Sequence, residues 1–326
     1  MTKAIALILL YVCLCSCADT LEQRSVSGPV FGTSYNIVYE ASSNYQKQFD
    51  SLFQVINQSM STYIEDSDIS KFNNNEQVEI DEHFIKVFEA SKIIHRETNG
   101  SFDPTIGTIV NAWDFGPEGS VEQLDSLKID SLMSSVGFNK IKRFGNAIEK
   151  VHPDTYLDFN AIAKGYAVDV IAEFLNSQNS SSYLVDIGGE IRTKGINTTS
   201  GNPWKIGIDD PNFDGTQSYS KIISLTDKSM ATSGTYRKFK VDANGSKYSH
   251  IIDTKTGYPS KTNLLSVSVI ADDCMTADAY ATAFKAMGIE AITDFLKSHP
   301  ELMVYLIFEN EQQELQNLSL NNFPQE

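Results

Sequence analysis

The chain has 326 residues, of which 42 are Asp or Glu and 26 are Lys or Arg, so its formal net charge is −16 at pH 7. So acidic a surface is unsuited to nucleic acid or to anionic lipid head groups, and we exclude both as partners of the folded body. An anionic substrate would need a local exception, such as a metal ion, a lysine or free helix amides. The length suits one large domain or two closely packed ones.

The N-terminus resembles a bacterial lipoprotein signal. A short positive start over 1–3 precedes an apolar run over 4–12, which is too short to span a bilayer. The letters LCSC at 14–17 resemble a lipobox, which predicts cleavage after residue 16 and attachment of lipid to Cys17. We therefore expect a signal peptide over 1–16 and a lipid anchor in the bacterial cell envelope, facing the periplasm. An ordinary secretory signal with chance cysteines is the alternative.

Cysteine usage limits what can stabilise the folded body. Cys274 is the only cysteine after residue 17. An exported protein with one such cysteine forms no internal disulfide, and the sequence contains no His/Cys cluster of the kind that binds zinc. Packing or bound ligands must therefore stabilise the fold.

The first half of the body is predicted to contain a linker, then a strand and then two helices. Residues 17–30 are polar and carry Gly28-Pro29, which predicts a linker before a single domain over 31–326. A strand is predicted over 33–39. Apolar residues at three- and four-residue spacing predict an amphipathic helix over 49–60. Another helix is predicted to begin after the N-cap Asp81 and to end near Asn99-Gly100.

From about residue 141 the pattern predicts strands separated by turns, with two helices between them. The helices are predicted over 161–176 and 276–287, and the polar C-terminal tail is predicted to fray. This order favours an α+β fold over a regular βαβ alternation. The predicted strands are 147–151, 155–159, 183–187, 204–208, 221–225, 264–270 and 303–308.

The letters LDFNAIAKGYAVD over 157–169 place a carboxylate, several small residues and one lysine where a strand is predicted to end and a helix to begin. The first amides of a helix have no internal partner, so they can bind an anion, and the small Ala161 and Ala163 let a phosphate approach the backbone. Lys164 adds a positive charge. The alternative is an ordinary helix start with a solvated Lys164.

A second motif, CMTADAYATAF over 274–284, places Asp278 and Thr282 on one helical face. A carboxylate and a hydroxyl, together with a backbone carbonyl, form the oxygen-only set that suits Mg²⁺, which usually also binds substrate phosphates. The alternative is an Asp that is favoured by the helix dipole and a Thr that faces the core.

A third motif, HIIDTKTGYP over 250–259, contains His250, Asp253 and a turn. Histidine can orient a phosphate or transfer a proton, and Asp253 could fix the His250 tautomer. A structural histidine is the alternative. Two further motifs, VDIGGE over 185–190 and ATSGTYRKF over 231–239, place glycines where a ligand could touch the backbone.

Together these motifs resemble the ApbE family, the FAD:protein FMN transferases, in order and spacing over about residues 30–290. The resemblance implies an α+β, T-fold-like domain of mostly antiparallel sheets with packed helices. A lipoprotein signal is usual in that family. The motifs that carry the resemblance are FGTSYNI, MSTYIEDSDISKFN, GSFDPTIGTIVNAWDFGP, LDFNAIAKGYAVD, VDIGGE, ATSGTYRKF, HIIDTKTGYP and CMTADAYATAFKAMG.

The resemblance also implies roles for individual residues. Mg²⁺ would be bound by the Ala161 carbonyl, Asp278 and Thr282, while Lys164 and the helix amides face the phosphates of FAD. His250 and Lys164 would take part in catalysis. The residues implied to contact the nucleotide are Phe31, Tyr63, Ser101, Phe102, Asp103, Asp158, Lys164, Gly189, Ser233, His250 and Ile251.

This sequence departs from the family pattern at two places. The frequent Gly-Gly of the family turn is Asn160-Ala161 here, which keeps a backbone carbonyl at 161. The frequent Pro-Arg of the later turn is Thr254-Lys255, which removes any role of a guanidinium there. Neither change removes an implied metal ligand.

The implied reaction is Mg²⁺-dependent transfer of FMN from FAD to a Thr or Ser hydroxyl of a partner redox protein, with release of AMP. The acceptor would carry a short Thr/Ser-containing motif. An FAD pyrophosphatase that gives FMN and AMP needs the same groups and stays open. So do a flavin-binding lipoprotein without catalysis and a glycan-binding lipoprotein that uses Trp113, Trp204 and tyrosines as stacking platforms.

Overall fold

A computed structural model describes residues 21–212, 218–234, 239–241 and 247–325. The predicted signal over 1–16 and the predicted lipid attachment at Cys17 lie outside the described residues. Within these ranges, no helix combines the length and the apolar character that a membrane crossing requires.

The described chain forms fourteen strands and eight α-helices, with a short 3₁₀ turn at Phe138–Lys140. The strands are β1 Glu22–Val30, β2 Thr33–Ala41, β3 Ile141–Phe144, β4 Ala147–Lys150, β5 Tyr183–Ile187, β6 Glu190–Lys194, β7 Trp204–Asp209, β8 Tyr219–Leu225, β9 Ser229–Gly234, β10 Phe239–Val241, β11 Lys247–Ser249, β12 Leu264–Ala271, β13 Met303–Glu309 and β14 Leu315–Leu320. The helices are α1 Gln46–Met60, α2 Asp68–Asn73, α3 Glu82–Glu97, α4 Gly107–Ala112, α5 Ser126–Met133, α6 Ala163–Ser177, α7 Cys274–Met287 and α8 Ile289–Leu296.

One eight-stranded sheet organises the fold, in the order β1-β2-β5-β6-β9-β12-β13-β14, and every neighbouring pair in it is antiparallel. Three separate two-stranded sheets pair β3 with β4, β7 with β8 and β10 with β11. This confirms the predicted α+β class with mostly antiparallel sheets and packed helices.

The large sheet is covered on both faces. Helices α1, α3, α6 and α7 pack on one face and share its main core, to which β12 contributes Val267 and Val269. The β7–β8 hairpin covers part of the other face, where Ile206 and Ile223 pack against Ile270 of β12. Because β12 is buried on both faces, six of its eight residues are apolar and the other two are the buried Ser266 and Ser268, and this apolar content is why the sequence predicts it well.

The predicted linker is wrong over most of its length, because Glu22–Val30 is the edge strand of the large sheet and pairs with β2 along nine residues. Only Val26 and Val30 point into the core, so the segment lacks the apolar alternation of a strand. Its backbone hydrogen bonds to β2 stabilise it instead. Phe31 and Gly32, with φ of +48° and +72°, form the two-residue turn between the strands.

Residues 155–159, predicted as a strand, form no ladder beyond a single bridge between Ile106 and Tyr156. A side chain replaces the neighbouring strand: Asn73 accepts from the Leu157 amide at 2.8 Å and donates to the Leu157 carbonyl at 2.9 Å. Asp158 therefore ends an extended segment whose backbone is fixed by local partners.

The predicted frayed tail is also wrong, because Leu315–Leu320 forms β14 at the other edge of the sheet. Beyond it, the fully buried Phe323 stacks on Tyr305. A single aromatic anchor after a polar stretch is a weak sequence signal. The other predicted strands and helices are found within a few residues of their predicted bounds.

Among the described residues, one buried lysine has no acidic partner. Lys285 of α7 is 1% exposed, and its ammonium is 3.3 Å from the Thr262 hydroxyl. Burial lowers the pKa of Lys285 from 10.5 to about 8. Between pH values of about 8 and 10.5, Lys285 is more protonated in the unfolded chain than in the folded protein. The free energy of unfolding therefore rises with pH across this range, and the buried lysine lowers that free energy at pH 7.

We expect Lys285→Met to stabilise the protein at pH 7. The pKa change corresponds to roughly 3 kcal/mol at most, and methionine fills a similar volume without a charge. The Thr262 hydroxyl keeps its bond to the Lys285 carbonyl. Urea unfolding should give a higher midpoint for this variant than for wild type, whereas Lys297→Met, at an exposed site, should change it little. An unchanged or lower midpoint would contradict the prediction.

Candidate active site

A cleft of about 1430 Å³ opens above the large sheet where β5 and β6 end in a turn. Every residue that the family resemblance assigns to metal, nucleotide or catalysis lines it. These are Phe31, Tyr63, Ser101, Phe102, Asp103, Asp158, Ala161, Lys164, Gly189, Ser233, His250, Ile251, Asp278 and Thr282. The structure thus brings together residues that are up to 251 positions apart in the chain (282 − 31).

The start of α6 lies at the centre of the cleft. The Phe159 carbonyl accepts from the amides of Ile162 and Ala163, which turns the chain into the helix. Gly165 is the third residue of α6, so its amide is one of the helix-start donors that have no partner inside the helix. Instead it donates to the Asp278 carboxylate, with N to Oδ2 at 3.0 Å. The Ala161 carbonyl accepts no hydrogen bond from the residues that the structure describes.

Gly165 also permits the close contact between α6 and α7. A Cβ atom at this position would lie 2.3 Å from the Cys274 carbonyl oxygen and 2.8 Å from the Asp278 Cβ. Backbone cannot move aside as a flexible side chain can. Gly165 is thus needed for α6 and α7 to meet, because any larger residue would overlap the backbone of α7.

Asp169 fixes the N-terminus of α7 against α6. Its carboxylate accepts from the amides of Cys274 and Met275 at 2.9 and 2.8 Å and from the Arg192 guanidinium at 2.6 Å. Burial raises the pKa of Asp169 to about 6, and the neighbouring Arg192 opposes this rise. The site residues of α7 are therefore positioned by a buried ionic contact on its first turn.

Three charged groups meet beneath the cleft. The Lys164 ammonium lies 2.6 Å from Glu190 Oε1, and Asp278 is close enough to influence the titration of both. Glu190 is 3% exposed and Asp278 is 4% exposed. Two carboxylates against one ammonium leave this cluster one negative charge when all three groups are ionised.

The pKa values of these groups follow from burial and from mutual attraction. Burial raises the pKa of Glu190 to about 7 and raises that of Asp278, while Lys164 opposes both changes. For Lys164, burial acts to lower the pKa, but Glu190 and Asp278 outweigh it and the net shift is upward. Lys164 therefore stays protonated at neutral pH.

Glu190 is a residue that sequence reasoning missed. Its Oε2 atom is buried and has no hydrogen-bond partner among the described residues. The signal was present, since Glu190 closes the VDIGGE motif directly after two glycines with φ of +66° and +101°. What the sequence does not show is that this turn aims the carboxylate at Lys164.

The oxygen donors suggested for a metal lie on two elements. Asp278 and Thr282 project from successive turns of α7, and the Thr282 hydroxyl lies 3.0 Å from the Ser233 hydroxyl of β9. With the carbonyl of Ala161, which lies in the turn before α6, they form a set of oxygen atoms only, and Asp278 is itself one of the two carboxylates near Lys164. This donor chemistry fits Mg²⁺.

The side chains at the rim of the cleft differ in their exposure and in the hydrogen bonds that they form within the protein. Asp103 is buried, and its Oδ1 accepts from both the amide and the hydroxyl of Thr105, so part of its carboxylate already has a local role. Asp158 Oδ1 accepts from the Asn160 amide at 2.7 Å. Tyr63, by contrast, is 63% exposed at the mouth of the cleft.

His250 lies on the wall of the cleft, with its ring centroid 6.2 Å from that of Phe115. Asp253, suggested as its partner, uses Oδ1 instead to accept from the Lys255 and Thr256 amides inside its own turn. The Asp253 Oδ1 atom thus has a local role in its turn, and the suggestion that Asp253 fixes the His250 tautomer stays a prediction.

Comparison with known proteins decides the family. A model of the ApbE family matches residues 31–306. The chain belongs to the ApbE family. Among ApbE relatives, the FAD:protein FMN transferase of Vibrio cholerae is 38% identical over 287 residues, which is 85% of each chain. That of Haemophilus influenzae is 36% identical over 310 residues, which is 90% of this chain and 89% of the relative.

Solved ApbE structures have the same fold. The flavin transferase ApbE from Vibrio cholerae superposes with a TM-score of 0.82 at 34% identity, covering 92% of this chain and 97% of that one. The apo form of the Pseudomonas stutzeri flavinyl transferase ApbE also gives 0.82, at 27% identity, covering 92% and 95%.

We expect Gly165→Ala to destabilise this ApbE protein by about 1–3 kcal/mol, the usual cost of overpacking. The added methyl group would push α6 from α7 and lengthen the Gly165–Asp278 hydrogen bond. Urea unfolding measures the loss, and Glu173→Ala, on the exposed side of the same helix, is the control. Equal midpoints for the two variants would show that the helix contact tolerates a side chain.

Proposed function

We propose that this protein transfers FMN from FAD to a Thr or Ser hydroxyl of a partner redox protein and releases AMP. The names of its relatives support the FAD substrate, the FMN product and a protein acceptor. The observation that carries the proposal for this chain is the Gly165–Asp278 hydrogen bond. That bond places a buried carboxylate, an unused carbonyl and Lys164 at one helix start.

The metal we propose is Mg²⁺, held by the Ala161 carbonyl, Asp278 Oδ1 and the Thr282 hydroxyl. When bound, it would neutralise charge on the pyrophosphate and polarise the phosphorus that is attacked. When Glu190 and Asp278 are both ionised, the Lys164–Glu190–Asp278 cluster has one net negative charge. This charge would repel a diphosphate without a bound cation, which supports the proposal.

The chain's own residues would position the reactants. Lys164 orients the phosphates of FAD through its ammonium group. The implied role of the helix amides is limited, because the amides of Ile162, Ala163 and Gly165 already donate within the protein. The acceptor oxygen forms a bond to the FMN-side phosphorus as the bond from that phosphorus to the AMP oxygen breaks. The proton of the acceptor hydroxyl passes to His250, which lies on the cleft wall, and AMP leaves as the phosphate monoester.

An FAD pyrophosphatase is the nearest second candidate, because water could replace the acceptor hydroxyl in the same geometry. Incubation with FAD and Mg²⁺, with and without a candidate acceptor, distinguishes the two: a covalent flavin on the acceptor supports transfer, and free FMN alone supports hydrolysis. The glycan-binding alternative is disfavoured, since Trp204 is 4% exposed and both Trp113 and Trp204 donate their ring N–H to backbone carbonyls.

For location, we propose that lipid on Cys17 anchors the protein to a membrane of the bacterial cell envelope, with the catalytic domain in the periplasm. The support is the signal-like composition of 1–17. Radiolabelled palmitate should enter the wild-type protein and not a Cys17→Ser variant.

We expect Asp278→Ala to abolish Mg²⁺-dependent turnover of FAD, since it removes the proposed charged ligand. Asp278→Asn is the matched control for structure, because its amide oxygen can still accept from Gly165. If the carboxylate binds the metal, both variants lose activity while the Asn variant keeps the wild-type unfolding midpoint. Wild-type turnover in a folded Asp278→Asn variant would disprove the metal assignment.

We expect His250→Asn to leave FAD affinity within about twofold and to lower the transfer rate by about 10²–10⁴-fold, the usual contribution of a general base. The pH profile should also lose its acid-side limb. Because Glu190 has a pKa of about 7 and titrates in the range where histidines do, the Glu190→Gln profile is the control. A limb that persists in His250→Asn and vanishes in Glu190→Gln would assign it to Glu190 instead.

A further inference from the structure

The large sheet has a notch beside the cleft, because β9 continues past the point where its neighbour β6 begins. Strand β9 pairs with β12 along six residues, from Ser229 to Gly234. On its other side it pairs with β6 only at Ser229 and Met230. Among the described residues, no strand pairs with 231–234 on that side, and 232–234 line the cleft.

The register shows which backbone groups face the notch. The Thr193 amide donates to the Lys228 carbonyl at 2.9 Å, so the backbone of residue 228 points toward β6. Backbone direction alternates along a strand, so Met230, Thr232 and Gly234 point the same way. Thr232 and Gly234 therefore present two N–H donors and two carbonyl acceptors to the notch.

The turn between β5 and β6 leaves this edge accessible. In a continued ladder Gly189 would pair with Thr232, but Gly189 has left the ladder, with φ of +101° and its amide bound to Asp186 at 2.9 Å. A Cβ atom added to Gly189 would meet no atom within 4 Å apart from its chain neighbours. A side chain at this position would narrow the entrance of the notch.

Alternating donors and acceptors at strand spacing match the backbone of an extended peptide. A nucleotide offers no such repeat. The cleft volume, about 1430 Å³, also exceeds the roughly 300–1,000 Å³ of a typical pocket for one small ligand. There is thus room for a polypeptide segment beside a nucleotide.

We propose that an extended segment of the acceptor protein adds to β9 as a strand, pairing with the backbone of Thr232 and Gly234, and so delivers its hydroxyl to the cleft. The inference rests on the proposed function and specifies how the protein substrate is held. Recognition through backbone leaves the flanking side chains of the acceptor largely free to vary.

Strand geometry predicts where the modified residue sits. The Ser233 side chain is on the α7 face of the sheet, since its hydroxyl is 3.0 Å from that of Thr282. A residue opposite Ser233 has its side chain on the same face, with Cβ atoms about 4.5–5.5 Å apart. Its hydroxyl would thus reach the phosphate site, whereas residues opposite Thr232 and Gly234 would face away from α7.

The first test uses the wild-type protein with FAD, Mg²⁺ and synthetic ten-residue peptides that each carry one central threonine. The peptide that is flavinylated most is then N-methylated at single positions. We expect methylation at the residues directly before and after the threonine to lower kcat/KM at least about tenfold, and methylation of the threonine amide to change it less than about threefold. Losses without this alternation would overturn the proposal.

The FAD reaction itself keeps the two hypotheses separate. If FAD is turned over to AMP but no peptide is flavinylated, strand addition is overturned and the proposed FAD chemistry stands. If FAD is neither bound nor cleaved, the proposed function fails. Both readings come from the same samples, by chromatography of nucleotides and by fluorescence of the peptide.

The second test changes the protein edge. Thr232→Pro removes the N–H group that faces the notch. The ladder between β9 and β12 stays intact, because it does not use the Thr232 amide. Thr232→Ala keeps the N–H and removes the hydroxyl bond to Ser268. We expect the Pro variant to have at least about tenfold lower kcat/KM for the peptide than the Ala variant, at FAD affinities within about twofold of each other. If the Pro variant lost FAD affinity by as large a factor as it lost kcat/KM for the peptide, the β9 edge would belong to the nucleotide site and the proposal would be overturned.

Discussion

The site depends on one hydrogen bond, from the Gly165 amide to the buried Asp278 carboxylate. A carboxylate that leaves water loses several kcal/mol of solvation unless new partners replace it. Here the replacement comes from one amide and from the nearby Lys164 ammonium. The same bond gives an acceptor to an amide at the start of α6 that has no partner inside the helix, so a single contact satisfies both that donor and the buried charge.

That contact exists only because two helices approach closely at their N-termini. Gly165 removes the side chain that would separate them, and Asp169 binds the first amides of α7. The large sheet beneath holds both helices on one face. Strands of unequal length then leave the cleft open above the β5–β6 turn, where Glu190 meets Lys164.

The charge distribution makes the proposed chemistry coherent. The protein is strongly acidic, and even the cluster around Lys164 has more carboxylates than ammonium groups. One lysine is therefore too little positive charge to hold a pyrophosphate, and a divalent cation among oxygen donors would correct the balance. The buried Glu190 holds Lys164 in place but also reduces its field, which makes a bound cation more important.

The sequence alone determined the family motifs, the α+β class and the elements with strong periodicity, such as β12, α3 and α7, because local patterns of burial and capping encode these. It did not determine β1, whose strand is held by backbone pairing with β2, nor the extended segment at 155–159, where the Asn73 side chain replaces a strand. Glu190 was visible as a letter, yet its contact with Lys164 joins residues 26 positions apart (190 − 164). The exposed edge of β9 likewise depends on where β6 ends. Such features are decided by the tertiary structure, because they arise from the relative position of elements whose own sequences carry no record of one another.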